Sequence, residues 1–113
     1  MKKTVKLPEN FFLGAAASAW QTEGWSEKKE SQDSYIDLWY KENKNVWHNG
    51  YGPAVATDYY HRYKEDIAYM KEIGMNCYRT SLNWSRFLTD YENIVVDEEY
   101  ANYYDTVSYT HLR

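Results

Sequence analysis

Cysteine is almost missing from this chain: Cys77 stands alone among 113 residues. No intrachain disulfide can form, which suits a reducing compartment better than a stapled extracellular module. Histidine is nearly as scarce, with His48, His61 and His111 set far apart. No close Cys/His spacing offers a metal site, and no cofactor is expected. There is no internal repeat and no low-complexity tract. No basic block occurs either: 13 Lys and Arg face 17 Asp and Glu, a net charge of −4, so nucleic acid is not an expected partner. No stretch approaches the ~18 apolar residues of a membrane span. The lysines at 2, 3 and 6 before an apolar run at 11–17 imitate a signal peptide. Pro8, Glu9 and Asn10 interrupt that pattern, so the chain is expected to stay in the cytoplasm.

What is present is globular in character, with 43% hydrophobic and 27% charged residues. The length suffices for one ordinary domain. It is too short to close an eight-stranded (β/α) barrel, which needs roughly 250 residues. Aromatics reach 19%, as 13 Tyr, 5 Trp and 3 Phe. Two readings stay open on composition. Large rings build cores, and they also stack on the flat C–H faces of sugars whose hydroxyls seek polar neighbours.

Residues 11–20 are apolar at successive positions, the pattern of a strand buried on both faces of a parallel sheet. The small residues Gly14 to Ala17 and Ala19 suit a crowded barrel interior or a ligand contact, and the block Thr22-Glu23-Gly24 is expected to end the strand. Asp33 or Ser34 is placed to cap a short helix running to about residue 44. Residues 45–53, with Gly50, Gly52 and Pro53, read as loop. Residues 57–74 form the clearest element. Thr57 is a candidate cap, Gly74 a candidate stop, and Tyr60, Tyr63, Ile67, Met70 and Ile73 make an apolar stripe. Arg62 and Asp66 lie one turn apart on its wet face. Residues 76–84 read as a strand, with Cys77, Arg79, Ser81 and Asn83 on one face and Tyr78, Thr80, Leu82 and Trp84 on the other. Residues 98–107 begin another helix. This order of elements implies βα units and a parallel sheet.

In a (β/α) barrel the site forms at the carboxyl ends of the strands. Here those ends carry Trp20-Gln21-Thr22-Glu23-Gly24-Trp25 and Arg79-Thr80-Ser81-Leu82-Asn83-Trp84-Ser85-Arg86, rings mixed with fixed donors and acceptors. At these residues a family becomes recognisable. The block Phe11-Phe12-Leu13-Gly14-Ala15-Ala16 with Ser18-Ala19-Trp20-Gln21-Thr22-Glu23-Gly24 resembles the opening strand of glycoside hydrolase family one. The block Asp58-Tyr59-Tyr60-His61-Arg62-Tyr63-Lys64-Glu65-Asp66-Ile67 is similar to its first long helix, and Tyr78 to Arg86 to its second strand. The resemblance implies the first two βα units of a (β/α)8 TIM barrel over residues 1–107. Residues 108–113 depart from the family pattern and are expected to be foreign to it.

The resemblance implies a retaining β-glycosidase. Gln21 would bind hydroxyls of the non-reducing sugar, and Arg79 would lie beside the nucleophile and hold it ionised. A strand-capping amide and a buried ion pair are the plainer readings of these two residues. Trp84 and Arg86 read as core and supporting residues. The sequon Asn83-Trp84-Ser85 reads as chance on a buried strand. Retaining hydrolysis needs two carboxyl groups about 5 Å apart. The family's Asn-Glu-Pro and Glu-Asn-Gly segments do not occur, and Glu92-Asn93 is followed by Ile94 rather than glycine. No catalytic carboxylate is therefore expected in this chain, and no hydrolysis by it alone. The block around Arg79 looks closer to 6-phospho-β-glucosidases than to enzymes of unphosphorylated glucosides or galactosides. A noncatalytic carbohydrate-binding piece is the alternative of another class. Two βα units would also leave strand edges and a helix face uncovered, which invites aggregation.

Overall fold

The computed structural model describes residues 3–111. In chain order its elements are β1 (Gly14–Ala16), α1 (Ala19–Thr22), α2 (Tyr35–Glu42), α3 (Tyr59–Glu72), β2 (Cys77–Arg79), α4 (Trp84–Phe87), β3 (Leu88–Asp90), β4 (Val95–Val96) and α5 (Glu98–His111). Short 3₁₀ turns occupy Glu30–Gln32, Lys44–Val46 and His48–Gly50. Strands β1 and β2 pair in parallel, Gly14 opposite Cys77, Ala15 opposite Tyr78 and Ala16 opposite Arg79. The long connection between them carries α2 and α3, as a parallel crossover requires. Strands β3 and β4 form a separate antiparallel hairpin.

Local chemistry explains most of the helices. Ser34 caps α2: its hydroxyl accepts from the Asp37 N–H at 3.3 Å, and Asp37 accepts from the Ser34 N–H at 2.8 Å, a reciprocal capping box. Helix α3 ends at Gly74, which adopts φ 85°. There the Gly74 N–H bonds the Lys71 carbonyl at 3.0 Å and the Met75 N–H bonds the Met70 carbonyl at 2.9 Å, satisfying carbonyls the helix leaves open. The start of α3 differs from expectation. Thr57 does not cap it but donates its hydroxyl to the Thr22 carbonyl at 3.0 Å. Asp58 takes the position before the helix in a left-handed conformation without capping it. Arg62 turns back to Asp58 at 3.8 Å rather than pairing with Asp66.

The core lies between α3 and α5. Tyr59, Ile67, Tyr100, Tyr103, Tyr104 and Val107 are buried together, with Tyr60, Tyr63, Tyr78 and Phe87 packed against them. Most rings meet edge-on or tilted, Tyr60 to Tyr103 at 4.7 Å and Tyr100 to Tyr104 at 5.0 Å, while Tyr100 stacks on Tyr60 and Tyr103 at 6.4 and 5.7 Å, geometries that suit their quadrupoles. Much of the tyrosine content is therefore core. The stripe on α3 is shorter than the periodicity predicts, because Ile73 at its end is exposed.

Both strands are shorter than the sequence suggests. The expected strand over residues 11–20 contracts to Gly14–Ala16, and Ser18 then opens α1. The expected strand over 76–84 contracts to Cys77–Arg79, and the Asn83 carbonyl accepts from the Arg86 and Phe87 N–H groups to start α4. The hairpin β3–β4 has no counterpart in the sequence reading. Its turn is set by Asp90, whose carboxylate accepts from the Glu92 and Asn93 N–H groups at 2.9 and 3.1 Å. Burial of the first strand on both faces also fails here. Ala15 and Tyr78 are half-buried on the helix side, whereas Gly14, Ala16, Cys77 and Arg79 are exposed on the other. Two strands have helices on one face only. Trp84 is not core but 62% exposed, while Arg86 is 2% exposed.

Helix α5 continues through residue 111, across part of the segment 108–113, and residues 112 and 113 lie outside the described residues. No helix among the described residues is long and apolar enough to cross a membrane.

Candidate functional site

The carboxyl ends of β1 and β2 open side by side. The Ala17 N–H bonds the Arg79 carbonyl at 2.8 Å, and the Ala19 N–H bonds the Ser81 hydroxyl at 3.2 Å. These bonds hold α1, and so Gln21, next to the exit of β2. Both expected site residues are exposed. Neither the Gln21 amide nor the Arg79 guanidinium has a side-chain hydrogen bond or ion pair among the described residues. A strand-capping role for Gln21 and a buried ion pair for Arg79 therefore find no partner in these residues.

Two buried acids flank Gln21, and sequence reasoning assigned neither a role. Asp37, on α2, is 1% exposed. It accepts from the Trp25 indole N–H at 2.7 Å, the Trp20 indole N–H at 3.3 Å and the Ser34 hydroxyl at 2.8 Å. Lys28 lies 3.0 Å from it. Burial alone would raise the Asp37 pKa, but the bonds from Ser34, Trp25 and Lys28 outweigh it and hold the group below the ordinary aspartate value. One carboxylate thus orients two tryptophans on either side of Gln21. Because its folded pKa is depressed, the stability it contributes is present above about pH 3.9 and is lost as pH falls through the folded value. Asp37→Asn is expected to flatten that acid limb in a pH series of urea midpoints. An unchanged acid limb would show that other carboxylates set it.

Glu23, 2% exposed, lies beneath the same turn. Its two oxygens accept from the Tyr100 and Tyr104 hydroxyls, each at 2.6 Å. Arg86 donates to the Gly24 carbonyl at 3.2 Å and to the Ser26 carbonyl, and its guanidinium lies 3.9 Å over the Tyr60 ring. Burial raises the Glu23 pKa even though the two hydroxyls and Arg86 oppose it. This cluster ties the Gln21 turn to α5 and α4. The block Gln21-Thr22-Glu23-Gly24 showed the glutamate, but no local pattern gives its partners 77 and 81 residues away.

Beside Gln21 opens a cavity of about 190 Å³ lined also by Trp20, Trp47 and Tyr51. Glu92-Asn93 lies in the exposed turn of the hairpin. Among the described residues no group of His, Cys, Asp and Glu could hold a metal ion.

Parallel strands whose exits present an amide, a guanidinium and tryptophans define a segment of an α/β barrel with a polar, ring-lined mouth. The sequence profile of Glycosyl hydrolase family 1 matches residues 3–110, and the chain belongs to that family. Among curated relatives, a 6-phospho-beta-glucosidase of Bacillus subtilis (strain 168), GmuD, is 34% identical over 86% of this chain and 23% of its own length. Beta-glucosidase 17 of Arabidopsis thaliana is 41% identical over 73% of this chain and 16% of its own. A GH1 beta-glucosidase from the fungus Humicola insolens, solved in complex with glucose, superposes with a TM-score of 0.75 at 33% identity, covering 92% of this chain and 22% of that one. The AHE enzyme from Alicyclobacillus herbarius gives a TM-score of 0.81 at 29% identity over 98% of this chain and 24% of its own. The chain spans about a quarter or less of the length of these proteins. Its fold is the first two βα units of a (β/α)8 barrel.

Proposed function

We propose that residues 1–107 are the N-terminal part of a retaining β-glycosidase that cleaves 6-phospho-β-glucosides in the cytoplasm, with residues 108–113 foreign to it. In this reading Gln21 hydrogen-bonds the hydroxyls of the non-reducing sugar, Arg79 keeps a nucleophilic glutamate ionised, and this chain alone does not hydrolyse. The carrying observation is the placement, at the adjacent exits of β1 and β2, of an amide and a guanidinium with no side-chain partner among the described residues. Polar groups left open at strand ends are what a barrel site is built from. The 6-phospho preference rests on the Bacillus subtilis relative. Cleavage of unphosphorylated β-glucosides is the second reading, favoured by the plant beta-glucosidases at 37–41% identity.

The test is a chimera of the Bacillus subtilis relative in which residues 3–107 replace the segment that matches them. It is expected to release p-nitrophenol from the 6-phospho-β-glucoside at least about tenfold faster, per kcat/KM, than from the free glucoside, a difference of ~1.4 kcal/mol in transition-state binding. Gln21→Ala should lower kcat/KM about 100-fold, of the order seen when one transition-state donor is lost. Arg79→Met should lower kcat and move the acid limb of the pH profile upward, because removing a cation raises the pKa of the nucleophile. A chimera preferring the free glucoside would establish the second reading. Full activity of Gln21→Ala would remove that residue from the site, and turnover by the 113-residue chain alone would refute its inactivity.

A further inference from the structure

Three short contacts beneath the Gln21 turn compete for two protons. The Tyr100 hydroxyl lies 2.6 Å from Glu23 Oε2, and the Tyr104 hydroxyl lies 2.6 Å from Glu23 Oε1. The same Tyr104 hydroxyl lies 2.9 Å from the Ser81 carbonyl oxygen. A longer contact of 3.3 Å joins the two phenol oxygens. Glu23, Tyr100 and Tyr104 are all buried. Each phenol owns one proton. Burial, and next the Glu23 charge, raise the pKa of both tyrosines, so neither gives that proton up.

With Glu23 ionised, two phenol protons face three acceptors: the two carboxylate oxygens and the Ser81 carbonyl. A carboxylate takes the stronger, charge-assisted bonds. Both protons therefore point at Glu23, and the Ser81 carbonyl receives none from Tyr104. The Tyr104 oxygen accepts from the Asn83 backbone N–H, which leaves it one further place to accept.

When Glu23 binds a proton from solvent, three protons serve three contacts. The new proton, on Oε1, is donated to the Tyr104 oxygen. Tyr104 then turns its own proton to the Ser81 carbonyl, while Tyr100 goes on donating to Oε2. No heavy atom has to move, because the distances are already those of hydrogen bonds.

The ends of this chain of bonds are the two strand exits. Glu23 closes α1, two residues after Gln21. Ser81 stands two residues after Arg79, and its hydroxyl already accepts from the Ala19 N–H at 3.2 Å. Helix α5 thus reaches both exits through one oxygen atom.

We propose that Tyr104 is a positioning residue: when Glu23 takes up a proton, the single Tyr104 hydroxyl proton swings to the Ser81 carbonyl and clasps the exits of β1 and β2 together. That these exits carry the reaction rests on the reading of Gln21 and Arg79 given above. The relay itself rests on the contacts alone. The charged and titratable groups that face Glu23 are Arg86 of α4, Tyr59 of α3, and Tyr100, Tyr103 and Tyr104 of α5. Arginine and tyrosine keep their protons at acid and neutral pH, so Glu23 is the member of the cluster that changes state there. Its burial moves that change upward from the ordinary glutamate value.

The experiment is carbon-13 NMR of the uniformly labelled 113-residue chain, titrated with acid. The Glu23 carboxyl carbon reports protonation. The Ser81 carbonyl carbon reports the bond from Tyr104, since accepting a hydrogen bond moves it downfield. The two are expected to titrate with one midpoint. In Tyr104→Phe the Ser81 titration should vanish while Glu23 still titrates, a separation that mere packing of the ring would not produce. Glu23→Gln should leave Ser81 invariant with pH, and it decides the matter if Tyr104→Phe does not fold. The relay is overturned by a Ser81 carbon that stays still in wild type, or by a Glu23 that does not titrate in the folded chain. Ser81 movement that survives either substitution overturns it equally. Turnover plays no part in these outcomes. A fully active Gln21→Ala chimera would remove the reading of Gln21 and leave the relay, whereas a silent Ser81 would remove the relay and leave that reading.

Discussion

Gly14→Ala is expected to unpair β1 from β2. A β-carbon at position 14 would lie 1.8 Å from the Cys77 carbonyl oxygen and 2.6 Å from its carbon. Those atoms are backbone, so no rotamer change relieves the clash and a strand must move. The strands are only three residues long, and few bonds hold them. The Asn76 N–H bonds the Leu13 carbonyl at 2.8 Å, the Asn76 amide reaches the Phe11 carbonyl at 3.0 Å and accepts from the Leu13 N–H at 2.9 Å, and the Ala17 N–H bonds the Arg79 carbonyl. Displacing β1 would loosen all of them together. The cost should exceed about 3 kcal/mol, in the range reserved for overpacking without an escape. Gln21 and Arg79 would also lose their common frame. Hydrogen exchange at Ala17 and Asn76 reads the effect directly, with Ala15→Gly as a control that adds no atom. Wild-type protection in Gly14→Ala would mean that the register described here is not the one that holds the sheet.

Glu23→Ala is the second large effect, expected at roughly 2–4 kcal/mol from the range for breaking buried charged hydrogen bonds. The substitution strips the Tyr100 and Tyr104 hydroxyls of their carboxylate acceptor and removes a negative charge that interacts with buried Arg86. Burial and the Glu23 charge raise the pKa of both tyrosines, so they stay protonated donors and cannot adapt by ionising. Glu23→Gln keeps the volume and one acceptor, and should cost only about 1–2 kcal/mol.

The pH signature separates charge from shape. The folded pKa of Glu23 is raised, so the folded state binds its proton more readily than the unfolded chain does. Its contribution is therefore most favourable below the ordinary glutamate value of about 4.3 and is lost as pH rises through the folded value. On protonation Tyr104 keeps a partner, because its hydroxyl already lies 2.9 Å from the Ser81 carbonyl. Wild type should lose stability across that rise, and Glu23→Gln should not. Asp33, Asp37 and Asp97 act in the opposite sense, since bonds from lysines and other donors outweigh burial and depress their pKa values. Their contribution disappears below about pH 3.9. Parallel profiles for wild type and Glu23→Gln in chemical denaturation would show that Glu23 does not titrate in this range.

Helices α3 and α5 were legible because their signals are local. Apolar residues recur at helical spacing along α3 and from Tyr100 to Val107 in α5, and Gly74 supplies the stop that a left-handed turn requires. A cap at Asp33 or Ser34 was legible for the same reason, since Ser34 and its partner Asp37 are three residues apart. Strands of two or three residues are too short for an alternation to register, which is why 11–20 and 76–84 read as long strands and β3 and β4 were not seen. Gln21 and Arg79 were singled out through family motifs rather than periodicity. Asp37 and Glu23 escaped because an acid in a sequence looks the same whether it is solvated or clasped by two tryptophans or two tyrosines.

The sequence by itself determined the order of β1, α2, α3, β2 and α5, the two principal helices, the family and the residues at the strand exits, all carried by neighbours within a few positions. Only the tertiary structure decided that the tyrosines of α3 and α5 form the core, that Trp84 is exposed while Arg86 is buried, and that Trp47 and Tyr51 stand beside Gln21. Those outcomes depend on which surfaces remain covered when distant segments meet, and a side chain's burial and partners are properties of that meeting rather than of its own stretch of chain.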